Sequence, residues 1–164
     1  MCTDSTYYSC SMPVDHVYFE DDNIVLTQIY GKLTPIELLG HVETMGELCS
    51  HNEAVIELVD CRLCSDTTEM TGASLMSVAS LEQGQPWADG SKCAIVVDTE
   101  LHYGLARIYA TIASETRMQA NVFYSLDEAI NWLGIEQYKL DIEACHEKIK
   151  AGLIRSSCRS PSAA

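Results

Sequence analysis

The sequence predicts an α/β fold: a mostly parallel sheet with an N-terminal antiparallel hairpin, helices covering the sheet, and an extra C-terminal helix. Three observations carry that prediction. Short apolar runs alternate with longer stretches of helical period, the pattern of strand–helix–strand crossovers. Two of the runs, Ala54–Val59 and Cys93–Val97, are continuous rather than alternating, as in strands covered on both faces. Ahead of them, His16–Glu20 and Ile24–Tyr30 flank the polar turn Asp21-Asp22-Asn23, which reads as a hairpin.

Each element has a local reason. Residues 1–14 show no period and read as a loose, flexible leader. Thr34-Pro35-Ile36-Glu37 opens the first helix: Thr34 caps, Pro35 takes the first helical position and Glu37 closes a capping box. Leu38, Val42, Met45 and Cys49 then fall on one stripe, and the helix is expected to run to about Ser50. Residues 71–83 read as a helix with Leu75, Val78 and Ala79 inward, and residues 84–90 as a loop by their Gly and Pro content. Residues 99–117 form the next helix, with Leu101, Leu105, Ile108 and Ile112 as its expected buried stripe. Residues 120–124 are the last strand. Ser125-Leu126-Asp127-Glu128 is a second capping box, and Gly134 ends that helix as a C-cap. Residues 135–155 form a C-terminal helix whose stripe of Tyr138, Ile142, Cys145 and Ile149 must bury against the body or a second copy. Residues 156–164 read as a disordered tail.

Composition narrows the class. The 164 residues suit one domain, here 15–134. Its 47% hydrophobic content excludes wholesale disorder. No apolar stretch approaches the roughly 20 residues of a membrane span. The first residues lack the basic-then-apolar pattern of a secretory signal, so a cytoplasmic location is expected. Charge is uneven: residues 1–90 carry Lys32 and Arg62 against fifteen carboxylates, whereas residues 91–164 carry eight cations against nine. A half this acidic repels phosphate backbones, which excludes nucleic acid as a partner of the body. Lys148, Lys150, Arg155 and Arg159 form a terminal basic cluster that reads as solvated.

Several segments resemble one family. Val59-Asp60-Cys61-Arg62, Lys92 to Val97, Tyr103-Gly104-Leu105-Ala106-Arg107, Val122-Phe123 and Ser125 to Leu133 stand in the order and separation of the bacterial SpoIIAA-like (STAS-like) proteins. The match spans about Tyr18 to Gly134. The resemblance implies a small layered α/β module, mostly without assigned activity, whose characterised relatives act by binding partners. Some are switched by phosphorylation of a Ser or Thr at a helix N-terminus after a central strand. Ser65, Thr71 and Ser74 occupy that zone here, although the antagonists' Asp-Ser-x-Gly motif is absent.

The chemistry-bearing residues divide into three groups. Asp60 and Arg62 are expected where a parallel strand ends, the usual ligand position in open α/β sheets. With Ser65, Thr67 and Thr71 they form the candidate ligand site, Asp60 as acceptor and Arg62 as anion clamp. The plainer alternative makes Asp60 a turn cap and Arg62 a partner of some carboxylate. Cys61 and Cys64 form the chain's CxxC, expected in a loop and readable as a redox pair, though without the helix N-terminus that lowers a thiol pKa. A zinc ribbon needs a second such pair, and none follows; no metal or cofactor is expected. Cys49, Cys93 and Cys145 read as small core residues. Tyr103, Gly104 and Arg107 form the candidate partner surface, with the guanidinium resting on the ring, or else a face packed beneath the C-terminal helix. His41 is expected on the polar side of its helix and His102 at the surface. No phosphate-cradling glycine loop occurs. The expected function is a non-enzymatic interaction module binding another protein or a second copy, as in a homodimer. The alternatives are a carrier of a small apolar or anionic ligand and a thiol redox protein.

Overall fold

The computed structural model describes residues 6–11, 13–49, 53–115 and 118–157. Its strands are β1 (Thr6–Ser11), β2 (Val14–Phe19), β3 (Ile24–Lys32), β4 (Ile56–Asp66), β5 (Lys92–Val96) and β6 (Gln119–Phe123). Its helices are α1 (Pro35–Leu48), α2 (Gly72–Gln83), α3 (Glu100–Ser114), α4 (Leu126–Leu133) and α5 (Lys139–Ser157). The strands form one sheet in chain order, β1 to β6. The first three make an antiparallel meander, and β3 to β6 are parallel.

That order fixes the layers. The crossovers through α1, α2 and α3 each step to the next strand in the same direction, and crossovers of one hand stepping one way set their helices on one face. Met45, Leu75, Ala110 and Ala113 accordingly pack on Val25, Val59 and Ile95 on that face. The opposite face of the sheet, Leu26, Leu58, Ala94 and Val96, is covered by Ile130 and Leu133 of α4 and Ile142 of α5. The sheet is therefore covered on both sides.

Local signals work as the sequence implies. Glu37 accepts the Thr34 backbone N–H at 2.7 Å, and the Ser125 hydroxyl accepts from the Glu128 N–H at 3.3 Å. Gly134 sits at φ 72°, the left-handed conformation a C-cap needs. In the hairpin turn, Asn23 sits at φ 51° and ties two segments together: its side chain accepts from Tyr18 Oη at 2.8 Å and donates to the Ala54 carbonyl at 2.6 Å.

Four expectations change. Thr6–Ser11 of the expected leader is a strand paired with β2. β4 runs on to Asp66, because its second half pairs with the end of β3 alone after β5 has finished at Asp60↔Val96. Residues 156 and 157 continue α5. The stripe of α3 is rotated: His102, Ala110 and Ala113 face inward, while Leu101 is 66% exposed and Ile108 39% exposed. Small inward residues let α3 lie close to the sheet, which turns the larger aliphatics outward. Residues 1–5, 12, 50–52, 116–117 and 158–164, which include parts of the expected leader, helix ends and tail, lie outside the described residues.

The C-terminal stripe packs on its own chain. Ile142 is fully buried, with Tyr138 and Cys145 partly buried beside it. Ile142→Ala is expected to lower unfolding free energy by about 2–5 kcal/mol, whereas Leu140→Ala, at a site 79% exposed, should change it by less than about 0.5 kcal/mol. Urea denaturation of the two variants reads the difference.

Candidate functional site

Where β3, β4 and β5 reach their carboxyl ends beneath α1, α2 and α3, the packing leaves a cavity of about 90 Å³. Aliphatic side chains such as Ile29, Leu38, Val59, Val78, Ile95 and Leu105 make most of its wall. His41, Glu82, His102, Tyr109 and Thr67 supply its polar edges.

Against this cavity lies a buried polar cluster that five elements assemble. His16 comes from β2, Thr27 from β3, Glu57 from β4, His41 from α1 and Glu82 from α2. His16 Nε2 and His41 Nδ1 share a hydrogen bond of 2.8 Å, with the rings parallel at 5.1 Å between centroids. His41 Nε2 lies 3.3 Å from Glu57 Oε1, and Thr27 Oγ1 donates to the same oxygen at 2.6 Å. The Cys93 thiol also bonds Glu57, and the Tyr109 hydroxyl donates to Glu82 Oε2. Burial, with Glu57 nearby, pushes the Glu82 carboxyl up to about 8. Burial likewise raises Glu57, against the pull of Thr27 and His16. His16 and His41 are both lowered to about 4, chiefly by burial. Among the described residues no Lys or Arg side chain bonds this cluster. His16 Nδ1 and Glu82 Oε1 are buried without a hydrogen-bond partner.

Asp60 projects to the opposite face of the sheet, three residues along β4 from Glu57, and it does have a cation. Arg62 Nε donates to Oδ1 at 2.9 Å and a terminal guanidinium nitrogen to Oδ2 at 2.8 Å. The Arg62 backbone N–H reaches Oδ1 at 3.1 Å, and His146 of α5 stands 3.1 Å from Oδ2. Burial pushes this carboxyl up, but the Arg62 hydrogen bonds and charge, with His146 beyond, outweigh it and hold Asp60 below its ordinary value. Arg62 is thus occupied by Asp60 and is not a free anion clamp. It pairs with a carboxylate, as in the plainer alternative, but that carboxylate is Asp60 itself, in a local i to i+2 contact to which His146 ties α5.

The five proposed ligand residues are not brought together. Asp60 and Arg62 lie under α5, Thr67 lines the cavity on the other face, Ser65 is exposed, and Thr71 caps α2. Thr71 and Ser74 are engaged with each other: the Thr71 hydroxyl accepts the Ser74 N–H at 3.1 Å, and Ser74 Oγ accepts the Thr71 N–H at 2.9 Å. Cys61 and Cys64 belong to β4, not a loop. Between Gln28↔Asp60 and Tyr30↔Leu63 the strand carries one extra residue, a bulge that turns both thiols to the cavity. Burial raises Cys61 well above, and Cys64 above, the ordinary thiol value, the opposite of a redox-active pair.

On α3, Tyr103 stacks on Tyr124, with ring centroids 4.7 Å apart and planes at 9°, rather than on Arg107. Gly104 and Arg107 are exposed, and α5 packs on the far side of the sheet. His41 and His102 are buried, contrary to expectation. The sequence did hold the signals. His41 stands three residues after Leu38 and one before Val42, Glu82 stands three after Ala79, and Glu57 interrupts a run of residues covered on both faces. By helical period and strand continuity each had to point inward.

No family model matches the chain, and no curated protein matches it. Among solved structures, the chain is similar to an uncharacterised protein of the DUF3478 family with a SpoIIAA-like fold from Shewanella loihica PV-4, at 16% identity and a TM-score of 0.49. The likeness covers 81% of this chain and 98% of that one. At this level of similarity no role transfers with it.

Asp60→Asn is expected to lower stability at pH 7 by on the order of 3 kcal/mol, since it removes one partner of a buried ion pair. A carboxyl lowered in the folded state stabilises above its unfolded pKa and loses that contribution as pH falls through the folded value. The gap between wild type and Asp60→Asn should therefore hold from pH 7 to about 4 and close below it, as read by thermal melts across pH.

Proposed function

We propose that this chain is a non-enzymatic STAS-like interaction module that docks a protein partner on the outer face of α3. The observation that carries this reading is the outward apolar stripe of Leu101 and Ile108, with Gly104 between them and nothing within 4 Å of where its Cβ would stand. A bare glycine between two aliphatics lets a partner backbone come close. Among the described residues, the rim of this helix carries Asp98, Glu100 and Glu115, all exposed, against the cation Arg107. Such a face favours a partner with an apolar anchor ringed by basic side chains and disfavours a second copy of this acidic chain.

Several observations favour contact over turnover. Both cavity cysteines are held as thiols, Arg62 is committed to Asp60, and the Thr71 and Ser74 hydroxyls close a helix cap. Phosphorylation of Thr71 or Ser74 would exchange those cap bonds for charge at the start of α2, and Ser65 is the exposed third candidate. No helix among the described residues is long and apolar enough to cross a membrane. We read the module as cytoplasmic.

A second reading is favoured by the cavity: a carrier of a small apolar ligand seated among Val59, Val78 and Leu105, with Thr67 at its edge. The same helix would serve both, since α3 lines the cavity with one face and presents Leu101 and Ile108 on the other.

The test is quantitative cross-linking of the tagged chain in its own cells, wild type beside Leu101→Ser/Ile108→Ser. Leu101 is exposed enough for a change of about 0.5 kcal/mol or less, whereas Ile108 is 39% exposed, so a thermal melt first establishes that the double variant is folded. The expected result is cross-links mapping to α3 on a basic protein, depleted at least several-fold in the variant. An unchanged partner set, or a partner mapping to α4 and α5, contradicts the reading.

A further inference from the structure

We propose that His41, Glu57 and Glu82 form a binding site for a divalent transition-metal ion, with a free coordination position turned toward the cavity. One ligand atom from each of the three lies within 4.8 Å of the other two. An ion equidistant from them sits within roughly 2.8 Å of each, and small side-chain shifts bring that to the roughly 2.0–2.2 Å of imidazole and carboxylate ligation.

The surroundings are those of a built site. Each ligand already has the outer hydrogen bond that orients a metal-binding side chain. His16 Nε2 meets His41 Nδ1, Thr27 holds Glu57, and Tyr109 holds Glu82 through Oε2. When His41 Nδ1 donates to His16 Nε2, the Nε2 lone pair facing Glu57 is free for a cation. Glu82 is 1% exposed, yet its Oε1 has no hydrogen-bond partner. A buried carboxylate oxygen left bare is costly unless a cation takes it. Two carboxylates and a divalent ion also cancel in charge, which the Arg62 guanidinium achieves for Asp60 on the other face. One imidazole and two carboxylates suit Zn²⁺, Fe²⁺ or Mn²⁺ better than the oxygen-only sets of Ca²⁺. His41 and Glu82 both line the cavity, so the remaining position opens there.

The inference does not depend on the α3 docking face: its ligands lie between the sheet and α1 and α2, and either claim survives failure of the other. The test uses the full chain, stripped with chelator, and Co²⁺ as the probe, because the chain's eight cysteines would also attract the ion. A Co²⁺–thiolate site shows a strong near-ultraviolet charge-transfer band that an imidazole–carboxylate site lacks. The expected result is one Co²⁺ per chain, with visible absorption and without the thiolate band, retained in Cys61→Ser/Cys64→Ser. Glu82→Gln should weaken binding at least 100-fold, and His16→Ala by roughly 10- to 100-fold as an outer-shell loss. Circular dichroism confirms that each variant is folded. If Glu82→Gln does not fold, His16→Ala alone decides. No binding by the stripped wild type, a thiolate band, or undiminished binding by a folded Glu82→Gln or His16→Ala overturns the proposal.

Discussion

Strand β4 buries two carboxylates three residues apart, and strand alternation sends them to opposite faces of the sheet. Asp60 and Glu57 thus meet the same physical problem, a charge removed from water, with different partners. Asp60 receives a guanidinium in a two-point contact and a histidine from α5. Glu57 receives one imidazole, His41, with His16 bonded behind it, together with a hydroxyl and a thiol. An ion pair closes the first arrangement. The second has no Lys or Arg partner among the described residues, leaves His16 Nδ1 and Glu82 Oε1 without a hydrogen bond, and lies against a cavity. Much of the rest of the structure follows from that asymmetry: α5 is pinned to the Asp60 face, and the chemistry that remains open collects on the Glu57 face.

The topology explains why the open chemistry collects where it does. Three crossovers stepping one way along the sheet stack α1, α2 and α3 over the carboxyl ends of β3 to β5. Each helix delivers one polar side chain to the same place: His41, Glu82 and Tyr109. Helix α3 has a further role as a wall between cavity and solvent. Its inward side is built from His102, Ala106, Tyr109 and Ala110, and its outward side shows Leu101 and Ile108.

Much of the scaffold was legible because its signals are local. Thr34-Pro35-Ile36-Glu37, the Asp22-Asn23 turn and the continuous runs of β4 and β5 each specify an element without reference to the rest of the chain. Helix α3 was misread because its apolar residues outnumber its inward positions. Ala110 and Ala113 permit close packing on the sheet, and the larger Leu101 and Ile108 are left outside. The buried cluster was missed for a different reason. Histidine and glutamate default to solvent by residue type, and only the spacing of His41 from Leu38 and of Glu82 from Ala79 contradicts that default. For Arg62 the sequence left a choice between a free anion clamp and a partner of some carboxylate, and did not name Asp60 as that carboxylate. Which face of the sheet the pair occupied required the β4 register and α5, neither of which sequence spacing supplies.

The most direct measurement of the contrast between the two faces is a carboxyl-carbon NMR titration of the metal-free chain, with Glu57 and Asp60 assigned from Glu57→Gln and Asp60→Asn. Asp60 should titrate below the ordinary aspartate range, held ionised by Arg62, and Glu57 above the ordinary glutamate range, held neutral by burial. Two carboxyls titrating together near their ordinary values, or Glu57 ionised throughout in the absence of any metal ion, would contradict it.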